Sequence, residues 1–134
     1  VTLMDFHHFI GQIQDRAQLG TTQAAVSATH ATLTTLGERL TEGERKDLAA
    51  QLPQEVGHYL IEGDSGQTFD IDAFFSRISA REHSDVQDAV YHSRVVLEVL
   101  QEAVSPGEIR QIKDQLPPEF YSVFESGSSG KLKR

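Results

Sequence analysis

Apolar residues recur at helical spacing along most of the chain. Behind Asp5, a residue type that starts helices well, one helical face carries Phe6, Phe9, Ile10, Ile13 and Ala17. After Thr21 or Thr22, a longer stretch repeats the spacing of three and four with Val26, Thr29, Leu33, Leu36 and Leu40. The pattern predicts one helix that ends near Leu19-Gly20 and a second helix of about twenty residues.

Short boundary signals divide the rest of the first half of the chain. Thr41 and Glu44 have the spacing of a capping box, which predicts the start of a third helix. Pro53 predicts the first position of a fourth helix, because proline at that position loses no helical hydrogen bond. Gly63 predicts the end of that helix. Four helices are therefore expected in the first 63 residues.

The second half repeats these signals. Asp70 and Ser84 precede helical patterns, and Ser105 and Glu108 form a second capping box. Pro117 predicts the last helix start, and Gly127 predicts its end. No useful length of the chain alternates polar and β-branched residues, so no sheet is expected. The fold class is predicted to be all-α with about eight helices.

An internal repeat underlies this symmetry. At an offset of 64, the stretch from Ala25 to Gly63 is identical to the second half at 12 of 39 positions, and upstream an offset of 65 pairs Asp5 with Asp70 and Arg16 with Arg81. Two tandem copies of a four-helix unit, packed into one bundle-like domain, are therefore predicted. The first copy covers residues 1–63, the second covers 64–127, and 128–134 are expected to form a disordered tail.

The two long helices differ in residue size. The segment from Val90 to Val104 is apolar on several faces, whereas the segment from Ala24 to Thr35 is rich in Ala and Thr. A helix that is apolar on several sides is usually buried, so the second long helix is predicted to lie centrally, approached by the small face of the first. The composition of residues 63–68 predicts a short flexible linker between the copies.

Charge and composition narrow the function classes. Twelve Lys and Arg stand against 20 Asp and Glu, giving a net charge of −8, which argues against nucleic acid or an anionic membrane surface as the partner. The chain has no Cys, which excludes thiolate metal sites, disulfides and a cysteine nucleophile. No apolar run is long enough to span a bilayer, so a cytoplasmic location is expected.

Six histidines are the natural starting point for a metal site or a general base. None has the spacing of a zinc-binding helix, no phosphate-binding loop or nucleophile elbow is present, and structural roles are favoured for all six. Neither a metal, a cofactor nor a catalytic residue is therefore assigned. The weak candidates for a binding pocket are four residues of the two long helices, which would meet at the seam between the copies: His30, Tyr91, His92 and Arg94.

Three polar positions recur in both copies and define a second group of candidate residues: Glu44, Gln51 and Glu55, with their counterparts Glu108, Gln115 and Glu119. A structural interpretation is favoured, with the first glutamate of each copy completing a capping box and the last one stabilising a helix start. The glutamines would satisfy carbonyls before the prolines. The alternative is a polar patch that binds a partner.

One motif resembles a known family. It has the form Leu-x-x-Gly-Glu-x-x-Asp-Leu-x-x-Gln-Leu-Pro-x-Glu and runs from Leu40 to Glu55. This motif resembles the bacterial domain-of-unknown-function family 2267, over about residues 4–127. In the second copy, Gln111 and Ile112 replace its Asp-Leu pair. The resemblance implies an all-helical bacterial protein and brings no activity, cofactor or catalytic residue.

Two functional hypotheses follow from the sequence. The first is a non-enzymatic protein-interaction or oligomerisation module, whose partner is another protein or a second copy of the chain. It is favoured because no nucleophile, base or metal-ligand set is clustered in the sequence. The alternative is a protein that binds a small molecule or a metal ion in a pocket at the seam between the two repeats.

Overall fold

The computed structural model describes residues 4–125 and confirms the all-α fold class. Eight helices follow one another in this part of the chain, and it contains no strand. Seven are α-helices: α1 Phe6–Arg16, α2 Thr22–Arg39, α3 Glu42–Ala50, α4 Gln54–Leu60, α5 Ile71–Glu82, α6 Val86–Ala103 and α7 Pro106–Asp114. The eighth is a 3₁₀ helix, Pro118–Phe124. The predicted tail and the predicted stop at Gly127 lie outside the described residues.

Side-chain caps start six of the α-helices. In each case the capping oxygen accepts a hydrogen bond from the backbone N–H three residues later, which satisfies one of the free donors of the first turn. The caps are Asp5, Thr21, Thr41, Asp70, Asp85 and Ser105. The predicted cap Ser84 is wrong by one residue, because the Asp85 carboxylate accepts from the N–H of Asp88 at 2.8 Å.

Other predicted boundaries, and the type of the last helix, also differ from the structure. Helix α1 ends at Arg16 instead of near Gly20, and Gln18 turns the chain with a φ of 56°. Pro53 is the N-cap of α4 and not its first helical residue. The last helix is 3₁₀, with the Phe120 N–H donating to the carbonyl of Pro117 at 3.0 Å.

Helix α2 occupies the centre of the fold. It packs against α1, α4, α5 and α6, and every residue from Ala31 to Glu38 is buried. Two of its buried threonines, Thr29 and Thr35, donate their hydroxyls to the carbonyls of Ala25 and Ala31, at 2.8 Å each. Helix α6 is buried on more than one face, as predicted, since the consecutive residues Val95, Val96 and Leu97 are all fully buried. Its predicted central position is wrong, because the small-residue helix α2 is enclosed more completely.

Helix α2 approaches α4 closely at Gly37. A Cβ at this position would overlap the carbonyl oxygen of Leu60. The hydroxyl of Thr34 donates to the carbonyl of Tyr59 at 3.1 Å, one turn away. The absent side chain of Gly37 therefore sets the distance between these two helices.

The connection between α4 and α5 is bonded to the end of α2. The N–H of Gly66 donates to the carbonyl of Leu40 at 2.8 Å, and that of Gln67 donates to the carbonyl of Glu38 at 2.9 Å. The Arg39 guanidinium donates to the carbonyl of Phe69 at 2.8 Å. Gly66 has a φ of 77°, which glycine adopts without strain. The composition predicted a short flexible linker, and the structure instead shows a segment that is hydrogen-bonded to the end of α2.

Within residues 4–125, no helix combines the length and the apolar character that crossing a membrane requires.

Replacing Gly37 by Ala is expected to destabilise the protein by about 3 kcal/mol, because α2 and α4 have to move apart to admit the methyl group. The matched control is Gly11→Ala on the exposed side of α1, where no atom lies within 4 Å of the added Cβ. The control should gain about 0.5–1 kcal/mol from helix propensity. Urea unfolding of both variants checks the prediction, and equal stabilities would contradict it.

Candidate functional site

His30 lies on the outer side of α2 and is half exposed. Its ring stacks on Tyr59 with centroids 4.4 Å apart, and its Nε2 lies 2.7 Å from a carboxylate oxygen of Glu62. Burial, followed by the charges of Glu62 and Glu55, raises the pKa of Tyr59 above its ordinary value. His30 is thus held in place by residues at the end of α4.

The other three predicted pocket residues lie on α6. The hydroxyl of Tyr91 donates to the carbonyl of Arg16 at 2.8 Å, and burial raises its pKa. The Nδ1 of His92 is hydrogen-bonded to the Glu82 carboxylate of α5, and both side chains are largely buried. The Nε of Arg94 is buried and has no hydrogen-bond partner among the described residues. These contacts attach α6 to different neighbours.

A cleft of about 320 Å³ lies beside His30. It is lined by Ser27, His30, Ala31, Thr34, Glu62 and Arg81. Of the four predicted pocket residues, only His30 contributes to this cleft. Arg81 was missed from the sequence; it comes from α5 in the second half, so the cleft does combine residues of both predicted copies.

The glutamines that recur in both halves bridge α3 and α7. The N–H of Ser105, the cap of α7, donates to Oε1 of Gln51 at 2.9 Å. In the opposite direction, the N–H of Thr41, the cap of α3, donates to Oε1 of Gln115 at 3.2 Å. Each half therefore supplies the acceptor for a cap N–H of the other half. The predicted role of these glutamines, binding carbonyls before the prolines, is not the one the structure shows.

The two predicted capping boxes are each completed differently from the sequence expectation. Thr41 and Ser105 accept from the N–H groups of Glu44 and Glu108, as a capping box requires. The reciprocal acceptor for each cap N–H is a glutamine from the other half instead of the glutamate three residues on. The side chains of Glu44 and Glu108 therefore do not bind the cap N–H groups and can make another contact.

Glu44 and Glu108 turn their carboxyl groups toward each other between α3 and α7. Glu108 is only 6% exposed, and one oxygen of each carboxyl is buried without a hydrogen-bond partner among the described residues. Burial, together with the hydrogen bond and charge of Glu44 and the charge of Asp47, raises the pKa of Glu108 to about 7. This is the strongest electrostatic feature at the predicted polar positions.

The remaining two predicted polar residues lie elsewhere. Glu119 accepts a hydrogen bond from the N–H of Ile71 at 3.3 Å, at the start of α5. Glu55 is exposed and lines a shallow recess with Asp5 and His7, at the start of α1. The six positions thus form one group of four residues between α3 and α7, and two separate residues at two other helix starts.

Two clusters of ion pairs were missed from the sequence. Arg16 of α1 binds both oxygens of Glu102 on α6, at 2.7 and 2.8 Å, and Glu98 lies 3.3 Å away. The hydrogen bond with Glu102 is the main cause that raises the pKa of Arg16 and lowers that of Glu102. These contacts join the first helix of the chain to the second long helix.

The counterpart cluster surrounds Glu38 on α2, which is 6% exposed. Its carboxylate accepts from Arg81 at 2.7 Å and from Arg77 at 2.9 Å. Burial alone would raise the pKa of Glu38, but the hydrogen bonds from the two arginines outweigh it and hold the pKa below its ordinary value. The sequence did contain a signal for these two clusters. The repeat pairs Arg16 with Arg81, and it pairs Glu38 with Glu102.

Among residues 4–125, no group of three or more His, Asp or Glu side chains is arranged to hold a metal ion. Most of the polar candidates are instead engaged in bonds that connect helices.

Gln51→Ala and Gln115→Ala are each expected to destabilise the protein by about 1 kcal/mol, because each leaves a helix-cap N–H without its acceptor. Gln111→Ala is the matched control, since Gln111 is exposed on α7. Chemical unfolding checks the three variants. A loss in Gln111→Ala equal to that in the other two would show that the cross-half bonds do not matter.

Glu38→Gln is expected to cost about 3 kcal/mol near neutral pH, because it leaves two arginines without their anionic partner. Since the folded pKa of Glu38 is lowered, its stabilising effect is present above the ordinary glutamate pKa and is lost as pH falls through the folded value. The gap between variant and wild type should therefore close in acid.

Unfolding at several pH values tests this expectation. The control is Lys46→Gln, which removes an exposed partner of Glu42 and should change stability by less than about 0.5 kcal/mol. A gap for Glu38→Gln that stays constant down to strongly acidic pH would rule out the ion-pair account.

Comparison with known proteins identifies a family. One family model, described as Uncharacterized conserved protein (DUF2267), matches residues 6–123. No curated protein matches the chain. The matched range takes in all eight helices except the last residue of the 3₁₀ helix. The resemblance noted in the Leu40–Glu55 motif is thereby confirmed, and the chain belongs to the DUF2267 family.

Proposed function

We propose that this protein is a non-enzymatic helical module that acts by binding another protein or a second copy of itself. The observation that carries this proposal is that most of its recurrent polar residues are engaged in bonds inside the protein. Gln51 and Gln115 cap helices of the opposite half, and Glu44 faces Glu108. These groups build a scaffold, so the outer surface is where the protein meets its partners.

The same interpretation extends to the two copies. Arg16 pairs with Glu102, and Arg81 pairs with Glu38, at positions that the repeat equates. These bonds support a single domain in which the two predicted copies are joined by reciprocal contacts. A paired architecture of this kind offers two similar faces to a partner.

The surface offers a few apolar contact points on an acidic background. Among the described residues, the exposed large apolar side chains are Ile61, Val86 and Tyr121. Aromatic and aliphatic anchors of this type provide much of the binding energy at protein interfaces. With a net charge of −8, the protein would associate fastest with a partner that has a basic surface.

A second candidate function is favoured by the cleft beside His30. Its volume of about 320 Å³ is at the lower end of the range of small-molecule pockets. It contains hydroxyl groups, a carboxylate, an imidazole and the Arg81 guanidinium, so a small polar molecule is the suitable ligand class. Glu38 already binds part of that guanidinium, which weakens its attraction for an anion.

Light scattering over a wide range of protein concentrations, with a thermal-shift screen on the same sample, distinguishes the two functions. The interaction module predicts a dimer or a complex that Ile61→Ser, Val86→Ser or Tyr121→Ser weakens at least tenfold, about 1.4 kcal/mol. The matched control, His58→Ser, replaces an exposed residue of α4 and should bind normally.

The cleft hypothesis predicts a different outcome. A ligand at a hundredfold its dissociation constant should stabilise the protein by about 2.7 kcal/mol. His30→Ala should abolish this gain, and His58→Ala should keep it. A strict monomer that cross-links to no protein in a lysate, together with a ligand-induced shift, would overturn the interaction module in favour of the cleft.

A further inference from the structure

We propose that Glu44 and Glu108 share one proton and form a pH-sensitive latch between α3 and α7. The latch is closed when the pair carries the proton and is weakened when both carboxyls are ionised. This inference goes beyond the proposed binding function, since it concerns how firmly two helices of the scaffold are held together.

The geometry supplies the first argument. Glu44 lies in the first turn of α3, and Glu108 lies in the first turn of α7. The two carboxyls are within hydrogen-bonding reach of each other. One oxygen of each is buried and has no N–H or O–H donor among the described residues. Two carboxylates offer only acceptors, so a proton on one of them is what turns this contact into a hydrogen bond.

The surrounding bonds hold the pair in place. The Nε2 of Gln115 donates to the other side of the Glu44 carboxyl at 3.4 Å. Oε1 of Gln115 accepts from the N–H of Thr41, and Gln51 accepts from the N–H of Ser105. One of these bonds contacts the Glu44 carboxyl directly, and the other two fix the starts of the helices on which the two glutamates lie. Loss of the proton sets two negative charges against each other inside this frame.

The charges around the pair favour retention of the proton. From α3, Glu44 and Asp47 both face Glu108 with negative charge. On α7 itself, Lys113 lies over the rings of Tyr121 and Phe124, and Arg110 is exposed. From the 3₁₀ helix, the Glu119 carboxylate accepts from the N–H of Ile71. With burial as the largest cause, the pKa of Glu108 is about 7.

The sign of the pH effect follows from this raised pKa. The folded value exceeds the ordinary glutamate value of 4.5, so the folded state retains a proton that the unfolded state releases. The stabilising contribution is complete below the ordinary value and declines as pH rises through about 7. The acid-side loss expected for Glu38 falls in a different window, at the low end of the scale.

The test compares the unfolding equilibrium of the wild type with that of Glu108→Gln between mildly acidic and mildly alkaline pH. The amide of the variant donates a permanent hydrogen bond to Glu44, so its stability should lack this pH response. The wild-type unfolding constant should rise on the order of 100-fold relative to the variant across the titration. Glu55→Gln is the matched control, because Glu55 is exposed and outside the latch.

A direct titration keeps the proposal testable if Glu108→Gln does not fold. Carbon-13 NMR of the wild-type glutamate carboxyls should show one of the pair titrating near neutral pH, and Glu44→Gln should alter that titration. Ordinary acidic titration of both carboxyls, or equal pH responses of wild type and Glu108→Gln, would overturn the latch. Stabilisation of the wild type by calcium chloride at alkaline pH, reversed by a chelator and absent in Glu108→Gln, would also overturn it by showing a cation in place of the proton.

Discussion

The enclosure of helix α2 is the constraint on which the rest of the structure depends. Four helices pack around it, and its second half is buried on every side. Such a helix has to be narrow, and Gly37 and the alanines keep it so, while Thr29 and Thr35 donate their hydroxyls to its own backbone. One charged side chain, Glu38, is buried at its end, and two arginines neutralise it. Because Glu38 is buried in this packing, α5 has to supply the positive charges that neutralise it.

Ion pairs and hydrogen bonds connect the two halves of the chain at several places. Arg16 ties α1 to α6, Glu38 ties α2 to α5, and the two glutamines tie α3 to α7. These contacts are directional and require particular donors and acceptors, unlike the interchangeable packing of aliphatic residues. They specify how the helices meet, while the apolar core supplies most of the stability. The first role of these polar residues is accordingly structural, because they fix how the helices meet.

Local signals account for what the sequence could predict. The caps Asp5, Thr21 and Ser105 act on an N–H three residues away, so short patterns were enough to place them. Ser84 and Asp85 are adjacent and both cap helices well, which explains the one-residue error. The acceptors for the cap N–H groups of Ser105 and Thr41 lie 54 and 74 residues away in the sequence, beyond any local pattern. The cleft and the carboxyl pair depend on the same long-range geometry.

The exchange of glutamines between the halves also bears on how the sequence can change over generations. Here Gln51 serves a helix start in the second half, and Gln115 serves one in the first. A substitution of either glutamine removes the acceptor of a helix-cap N–H in the other half. The two halves are therefore constrained together at these positions. Each half therefore limits which residues the other half can accept at these positions.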